Sequence, residues 1–132
     1  MTKLFFSALL ASVSLLASGT DARTSSGFKA QCRNFLYSWR DHNLIALCQT
    51  STGPKTLRIN LDTCLRNNEG SLEWVDKGQP GNFATNGCVA CYTEKDKFGC
   101  RFCYLDDGSA TSDQLINLND GIGFANDQLV CG

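Results

Sequence analysis

Charge of either sign is not in excess: twelve Lys and Arg stand against thirteen Asp and Glu, a formal net charge of −1. Nucleic-acid phosphates and anionic membranes both call for a cationic surface, so neither is an expected partner. Beyond residue 22 the chain has no long hydrophobic run, no amphipathic helix of ordinary length and no Asn-x-Ser/Thr acceptor for N-glycosylation, so membrane insertion is not expected. Catalytic chemistry is scarce too. His42, the single histidine, sits in a polar loop beside Asp41, with no serine or cysteine placed as its nucleophile, and reads as a solvated loop residue. Asp106-Asp107-Gly108-Ser109 lacks the ligand spacing and terminal glutamate of a calcium loop and reads as a turn. No pair of carboxylates is marked as facing one cleft, as glycoside hydrolysis would require. The expectation is a protein that is not an enzyme and needs neither metal nor cofactor.

What the sequence does contain begins with an address. Met1-Thr2-Lys3 is a short positive segment, Leu4 to Ala17 is apolar, and small residues follow at cleavage spacing. Residues 1–22 read as a secretory signal peptide, cut after Gly19 or Ala22, and the mature protein is expected to be secreted and extracellular. Removing Lys3 and Asp21 with it leaves the net charge unchanged. All eight cysteines follow this segment, which in an oxidising compartment implies a disulfide framework for a small domain.

Residues 23–132 read as one domain built on an internal repeat. The stretch from Ile59 to Trp74, INLDTCLRNNEGSLEW, comes again as INLNDGIGFANDQLVC from Ile116 to Cys131. Ile59 matches Ile116, Asn60 matches Asn117, Leu61 matches Leu118 and Leu72 matches Leu129. Repeat one runs from about 27 to 75, a turn-rich hinge from about 76 to 82, and repeat two from about 83 to 132. Strand signals recur in the same order in each. Phe28 to Cys32 alternates weakly, Leu44 to Cys48 is an apolar run of strand length, and Leu57, Ile59 and Leu61 alternate with polar neighbours. Ser38 to Asn43 reads as a hairpin loop, Thr52-Gly53-Pro54 as a turn, and Asp62 to Leu65 as one short helical turn. Trp74 reads as core.

The cysteine spacing admits two chemistries. Cys88-x-x-Cys91 and Cys100-x-x-Cys103 could ligate zinc, although the gap between the pairs is short for a zinc site. A thioredoxin-like redox pair lacks its βαβ setting. In an antiparallel hairpin, opposed residues share one index sum, and Cys88 with Cys103 and Cys91 with Cys100 share theirs. Two disulfide rungs thus fit a single register, and their odd spacing places them on opposite faces of the hairpin. Cys32–Cys48 is the matching rung of repeat one. Elimination leaves Cys64–Cys131, which would tie the repeats together.

The order of these motifs resembles the cyanovirin-N homology family of sugar-binding proteins. The resemblance is carried by Phe28 four residues before Cys32, by Cys48, by Ile59-Asn60-Leu61-Asp62, by Asn67-Asn68-Glu69-Gly70-Ser71-Leu72-Glu73-Trp74, and by the second copy. It implies an all-β, pseudo-symmetric fold in which the repeats exchange strands. It further implies a secreted lectin for high-mannose or related glycans, as a monomer or a strand-exchanged dimer. Shallow clusters of amides, carboxylates and hydroxyls suit sugar hydroxyls, and weak single sites act together through multivalency. The principal site implied comprises Asn67, Glu69, Asn82, Thr85, Asn86, Tyr104 and Asp106. Glu69 stands where the family favours Asp, and Tyr104-Leu105-Asp106 replaces its more basic segment. A second, degraded site would use Gln31, Gln49, Ser51, Asn126 and Asp127, with Phe124 where the family has Asn. The competing expectation is a secreted protein that kept the scaffold but binds a protein partner.

Overall fold

Along Asn43–Thr50 every second side chain, from Leu44 through Ala46 and Cys48 to Thr50, turns inward, while Gln49 faces solvent. That period of two is what a strand with one face on a core requires. In the computed structural model, which describes residues 25–132, this strand is the centre of a sheet. The expected signal peptide lies outside the described residues. Ten strands form: β1 Cys32–Ser38, β2 Asn43–Thr50, β3 Gly53–Asn60, β4 Leu65–Asn68, β5 Ser71–Trp74, β6 Cys88–Glu94, β7 Lys97–Tyr104, β8 Ala110–Asn117, β9 Ile122–Ala125 and β10 Gln128–Cys131. They make two three-stranded antiparallel sheets, β1-β2-β3 and β6-β7-β8, and two hairpins, β4-β5 and β9-β10.

The hairpins change sides. β5, from repeat one, packs on β7 and β8, while β10, from repeat two, packs on β3. Each half of the molecule therefore joins a sheet from one repeat to a hairpin from the other, as the strand-exchanged, all-β reading requires. Phe28, Phe83, Phe98, Leu44, Leu61, Leu65, Leu118 and Ile122 are fully buried between them. Phe98 meets Phe83 at 5.5 Å and Tyr37 at 4.8 Å between ring centroids.

The repeated Ile-Asn-Leu explains itself locally. Each copy ends a strand and enters a single 3-10 turn, and the asparagine caps it: Asn60 Oδ1 accepts the Asp62 N–H at 2.9 Å, and Asn117 Oδ1 accepts the Asn119 N–H at 3.0 Å. Isoleucine before the cap is half-buried and the leucine after it is fully buried. Other local readings move slightly. Phe28–Ala30 is a 3-10 turn rather than extended chain, and Gly53 and Pro54 already belong to β3. Pro54 opens an edge strand, where its missing N–H does no harm.

Disulfides join Cys32–Cys48, Cys64–Cys131, Cys88–Cys103 and Cys91–Cys100. The two rungs of the β6-β7 hairpin do share one register. Their expected placement on opposite faces is corrected: the sulfurs of Cys88, Cys100 and Cys103 lie within 4.8 Å of one another. Ala90, between the rungs, has φ 55°, a break in the regular extended backbone of β6. All three sulfurs are in S–S bonds, so none is a thiolate free to take a metal.

Candidate functional site

Asn67 and Thr50 are the buried polar side chains among the described residues. Asn67 sits on β4, whose inward positions are Leu65 and Asn67, and is 6% exposed. Its amide nitrogen donates to the Asn86 carbonyl at 2.6 Å and the Tyr104 carbonyl at 2.8 Å. Its Oδ1 accepts the Gly70 N–H at 2.8 Å. Both donors and one lone pair are thereby used, as a buried amide demands. Asn67, expected as a sugar contact, thus ties three backbone groups together and frames the loops around it.

The frame fixes the exposed residues around it. Glu69 and Gly70 both have positive φ, 50° and 87°, the signature of a two-residue I′ hairpin turn. Only the second is a glycine, and a Cβ there would come within 2.7 Å of Leu105 Cδ1 and 2.8 Å of Thr111 Cγ2. Thr111 Oγ1 donates to the Gly70 carbonyl at 2.6 Å, so the turn is docked on the opposite sheet. This docking brings Glu69 against Asp106. The Glu69 carboxyl is raised above the ordinary glutamate range, first by its hydrogen bond to Asp106, then by desolvation, by the Asp106 charge and, more weakly, by Asp107. Asp107 is held low by the hydroxyl and N–H of Ser109.

A third segment closes the ring. The N–H groups of Asn82 and Phe83 both donate to the Leu65 carbonyl, at 2.8 and 3.1 Å, and the Asn86 N–H donates back to the Asn82 carbonyl at 2.9 Å. Thr85 Oγ1 donates to that same carbonyl at 3.3 Å, and Asn86 Nδ2 donates to the Asn67 carbonyl at 3.3 Å. Gly81 lies so close to the turn before β4 that a Cβ would sit 2.5 Å from the Asp62 carbonyl and 2.7 Å from that of Leu65. Glu69, Asn82, Thr85, Asn86, Tyr104 and Asp106 are all exposed. The structure thus gathers the seven residues expected for a principal site through direct bonds or a shared turn. Sequence reasoning passed over Gly87, whose carbonyl takes the Tyr104 N–H at 3.0 Å, and Thr111. A glycine directly before Cys88 was the available signal for the first.

The second group divides. Gln31 and Gln49 line a cavity of about 270 Å³ with Lys29, Arg33 and Pro54, over the Cys32–Cys48 bridge. The Gln49 N–H donates to the Gln31 carbonyl at 2.8 Å. Ser51, Asn126 and Asp127 do not line that cavity. Asp127 instead accepts the Ser51 N–H at 3.0 Å and the Ser51 hydroxyl, bonds that hold its carboxyl below the usual range. Asn126 and Asp127 occupy the left-handed turn of the β9-β10 hairpin, with φ 54° and 60°.

A family model described as CVNH domain matches residues 28–130. Among solved structures, the CVNH of T. borchii is 27% identical over 80% of this chain and 99% of its own, with a TM-score of 0.63. Microvirin, solved as a mannobiose complex, is 24% identical over 81% of this chain and 99% of its own, with a TM-score of 0.60. A MoCVNH3 variant, solved with (N-GlcNAc)4, is 18% identical over 86% of this chain and 100% of its own, with a TM-score of 0.65. A search of curated proteins finds no significant match.

Proposed function

The chain belongs to the CVNH domain family, and from that premise we propose that it is a secreted lectin. It binds mannose-type glycans, without acting on them chemically, at the surface made by Glu69, Asn82, Thr85, Tyr104 and Asp106. One observation carries this reading above the others. The exposed amide, hydroxyl and carboxyl groups stand on a frame whose own polar demands Asn67 already meets. Such a surface exchanges water for sugar hydroxyls with little rearrangement, which is where weak polar recognition gains most. Asn67 and Asn86 then position the site, and Glu69 and Asp106 accept hydroxyl hydrogen bonds. Mannobiose in the microvirin structure and (N-GlcNAc)4 in the MoCVNH3 variant are ligands of those proteins, and they supply the probes to try first.

The test is a glycan array with the mature, oxidised protein beside Glu69→Ala and Asp106→Ala. Mannose-terminated glycans bind the parent and lose at least about tenfold in each variant, as the loss of a charged hydrogen-bond partner implies. An empty array from protein with a native melting curve overturns the proposal and favours a protein partner instead.

A further inference from the structure

The two halves of the molecule repeat not only strands but individual hydrogen bonds, and these bonds identify equivalent positions. The Lys29 N–H donates to Asn119 Oδ1 at 2.9 Å, and the Ala84 N–H donates to Asp62 Oδ1 at 2.9 Å. The Leu118 N–H donates to the Asp96 carbonyl at 3.0 Å, and the Leu61 N–H donates to the His42 carbonyl at 2.8 Å. Ala84 and His42 therefore stand in one half where Lys29 and Asp96 stand in the other. Lys29 and Asp96 bridge their gap with an ion pair of 2.7 Å. Ala84 has no side chain to do so. At that place lies a cavity of about 490 Å³, within the range of small-ligand sites, lined by Tyr37, Trp39, His42, Ala84, Val89 and Ala90 with Cys88 and Cys91.

The loop that walls it is specialised. β1 and β2 are joined through Trp39, Arg40, Asp41 and His42, whereas β6 and β7 are joined through Lys95 and Asp96 alone. The longer loop carries an indole that is 70% exposed, with the Arg40 guanidinium 5.4 Å from its centroid on one of its two faces. His42 holds a left-handed φ of 61°, and its Nδ1 lies 2.9 Å from the Tyr37 hydroxyl. Burial, then Asp62 and Asp41, push the Tyr37 phenol up to about 12, so its hydroxyl stays protonated as a partner for Nδ1. With Nδ1 engaged by Tyr37, Nε2 is the ring nitrogen left for a ligand, and a sugar hydroxyl can donate to it or accept from it.

We propose that this cavity is a further sugar-contact site, in which one pyranose of a neutral glycan lays its C–H face on Trp39 and offers a hydroxyl to His42 Nε2. A wholly apolar ligand would cover Nε2 without a partner, which a sugar hydroxyl avoids. A pyranose also pairs an apolar face with a polar rim, and the cavity sets an indole and two alanines beside an imidazole in the same way. The proposal rests on the glycan-binding reading above and adds a contact that neither of the expected sites includes.

The closed half supplies the test. In the double variant Ala84→Lys with His42→Asp, the ion pair of the other half is installed across the cavity. The labelled, oxidised mature protein is titrated with methyl α-mannoside and with mannobiose, and two sets of NMR signals are followed: the Trp39 indole N–H, and the Glu69 and Asp106 amides. Saturable shifts at both sets are expected in the parent, with the Trp39 set silent in the double variant and the Glu69 set unchanged. Trp39→Ala, at an exposed position, weakens the binding that the His42 ring signals report by about tenfold. Shifts at Glu69 and Asp106 with none at Trp39 overturn this site alone. Trp39 shifts that persist in the double variant also overturn it. Silence at both sets with every sugar removes the glycan reading and this proposal together.

Discussion

Replacing Asn67 by alanine separates framing from contact. The change deletes three hydrogen bonds, two to the Asn86 and Tyr104 carbonyls and one from the Gly70 N–H. Each such bond contributes about 1 kcal/mol net, and a donor left buried without a partner costs about a further 1–2 kcal/mol. Gly70 is buried, so its N–H falls in that class, while Asn86 and Tyr104 are exposed enough for water to reach their carbonyls. The sum is about 4–5 kcal/mol, a fall in melting temperature of roughly 15–20 °C for a domain of this size. Glu69→Ala, at a fully exposed carboxyl, should leave the melting curve in place. Urea unfolding of the oxidised protein gives the stabilities, and mannobiose titration gives the affinities. Asn67→Ala is expected to lose stability and binding together, and Glu69→Ala to lose binding alone. An Asn67→Ala protein that melts like the parent yet no longer binds sugar would refute the framing argument, because the side chain would then be a direct contact.

Three other outcomes follow from the same geometry. Opening Cys64–Cys131 with paired serines frees a 67-residue separation, against 9 for Cys91–Cys100; loop entropy puts the losses at about 4 and about 2.5 kcal/mol, and reversed order in urea midpoints would contradict that account. The Glu69 carboxyl, raised chiefly by its hydrogen bond to Asp106, contributes stability that is complete below the ordinary glutamate pKa and is lost as pH rises through the raised one. Asp106→Asn should bring the Glu69 titration, read from carboxyl carbon shifts, back toward the ordinary range; a curve that does not move argues against the pairing. Gly121→Ala places a Cβ 2.0 Å from the Trp74 ring, and overpacking of this kind costs about 1–3 kcal/mol with an altered tryptophan emission. Parent-like emission and stability would mean that Trp74 yields freely.

Much of the scaffold is legible in the residues because it rests on short-range rules. Period-two alternation marks β2, and equal index sums pair the hairpin cysteines. The repeated Asn60 and Asn117 announce two capped turns. What escaped depends on backbone exceptions and distant partners. A left-handed residue, Ala90, interrupts β6 between the two rungs, and nothing in its type foretells φ 55°. β4 is four residues long and half-buried, too short for a period to show. Asn67 has the composition of a turn or a ligand contact, and only its burial under Asn86 and Tyr104 reveals the frame. The cavity beside Trp39 arises from an alanine in the opposite repeat, a relation no local window contains.

The two hairpin turns also explain, in physical terms, why the halves need not be equivalent. Each turn must be tied to the loop it packs against. In the first half the tie is Asn67, buried, so the surface groups above it are left over: among the described residues neither the Asn82 amide nor the Tyr104 hydroxyl has a partner. In the second half Phe124 occupies the matching place on β9 and can make no such bonds. The tie there is Asp127 to the N–H and hydroxyl of Ser51, made at the surface. Those are the same groups that a sugar would seek. A hydroxyl arriving at Ser51 or Asp127 must first displace a charge-assisted bond, whereas one arriving at Asn82 or Tyr104 displaces only water. The tie is buried in one half and exposed in the other, and that difference is why the proposed sugar contact is placed at the half framed by Asn67.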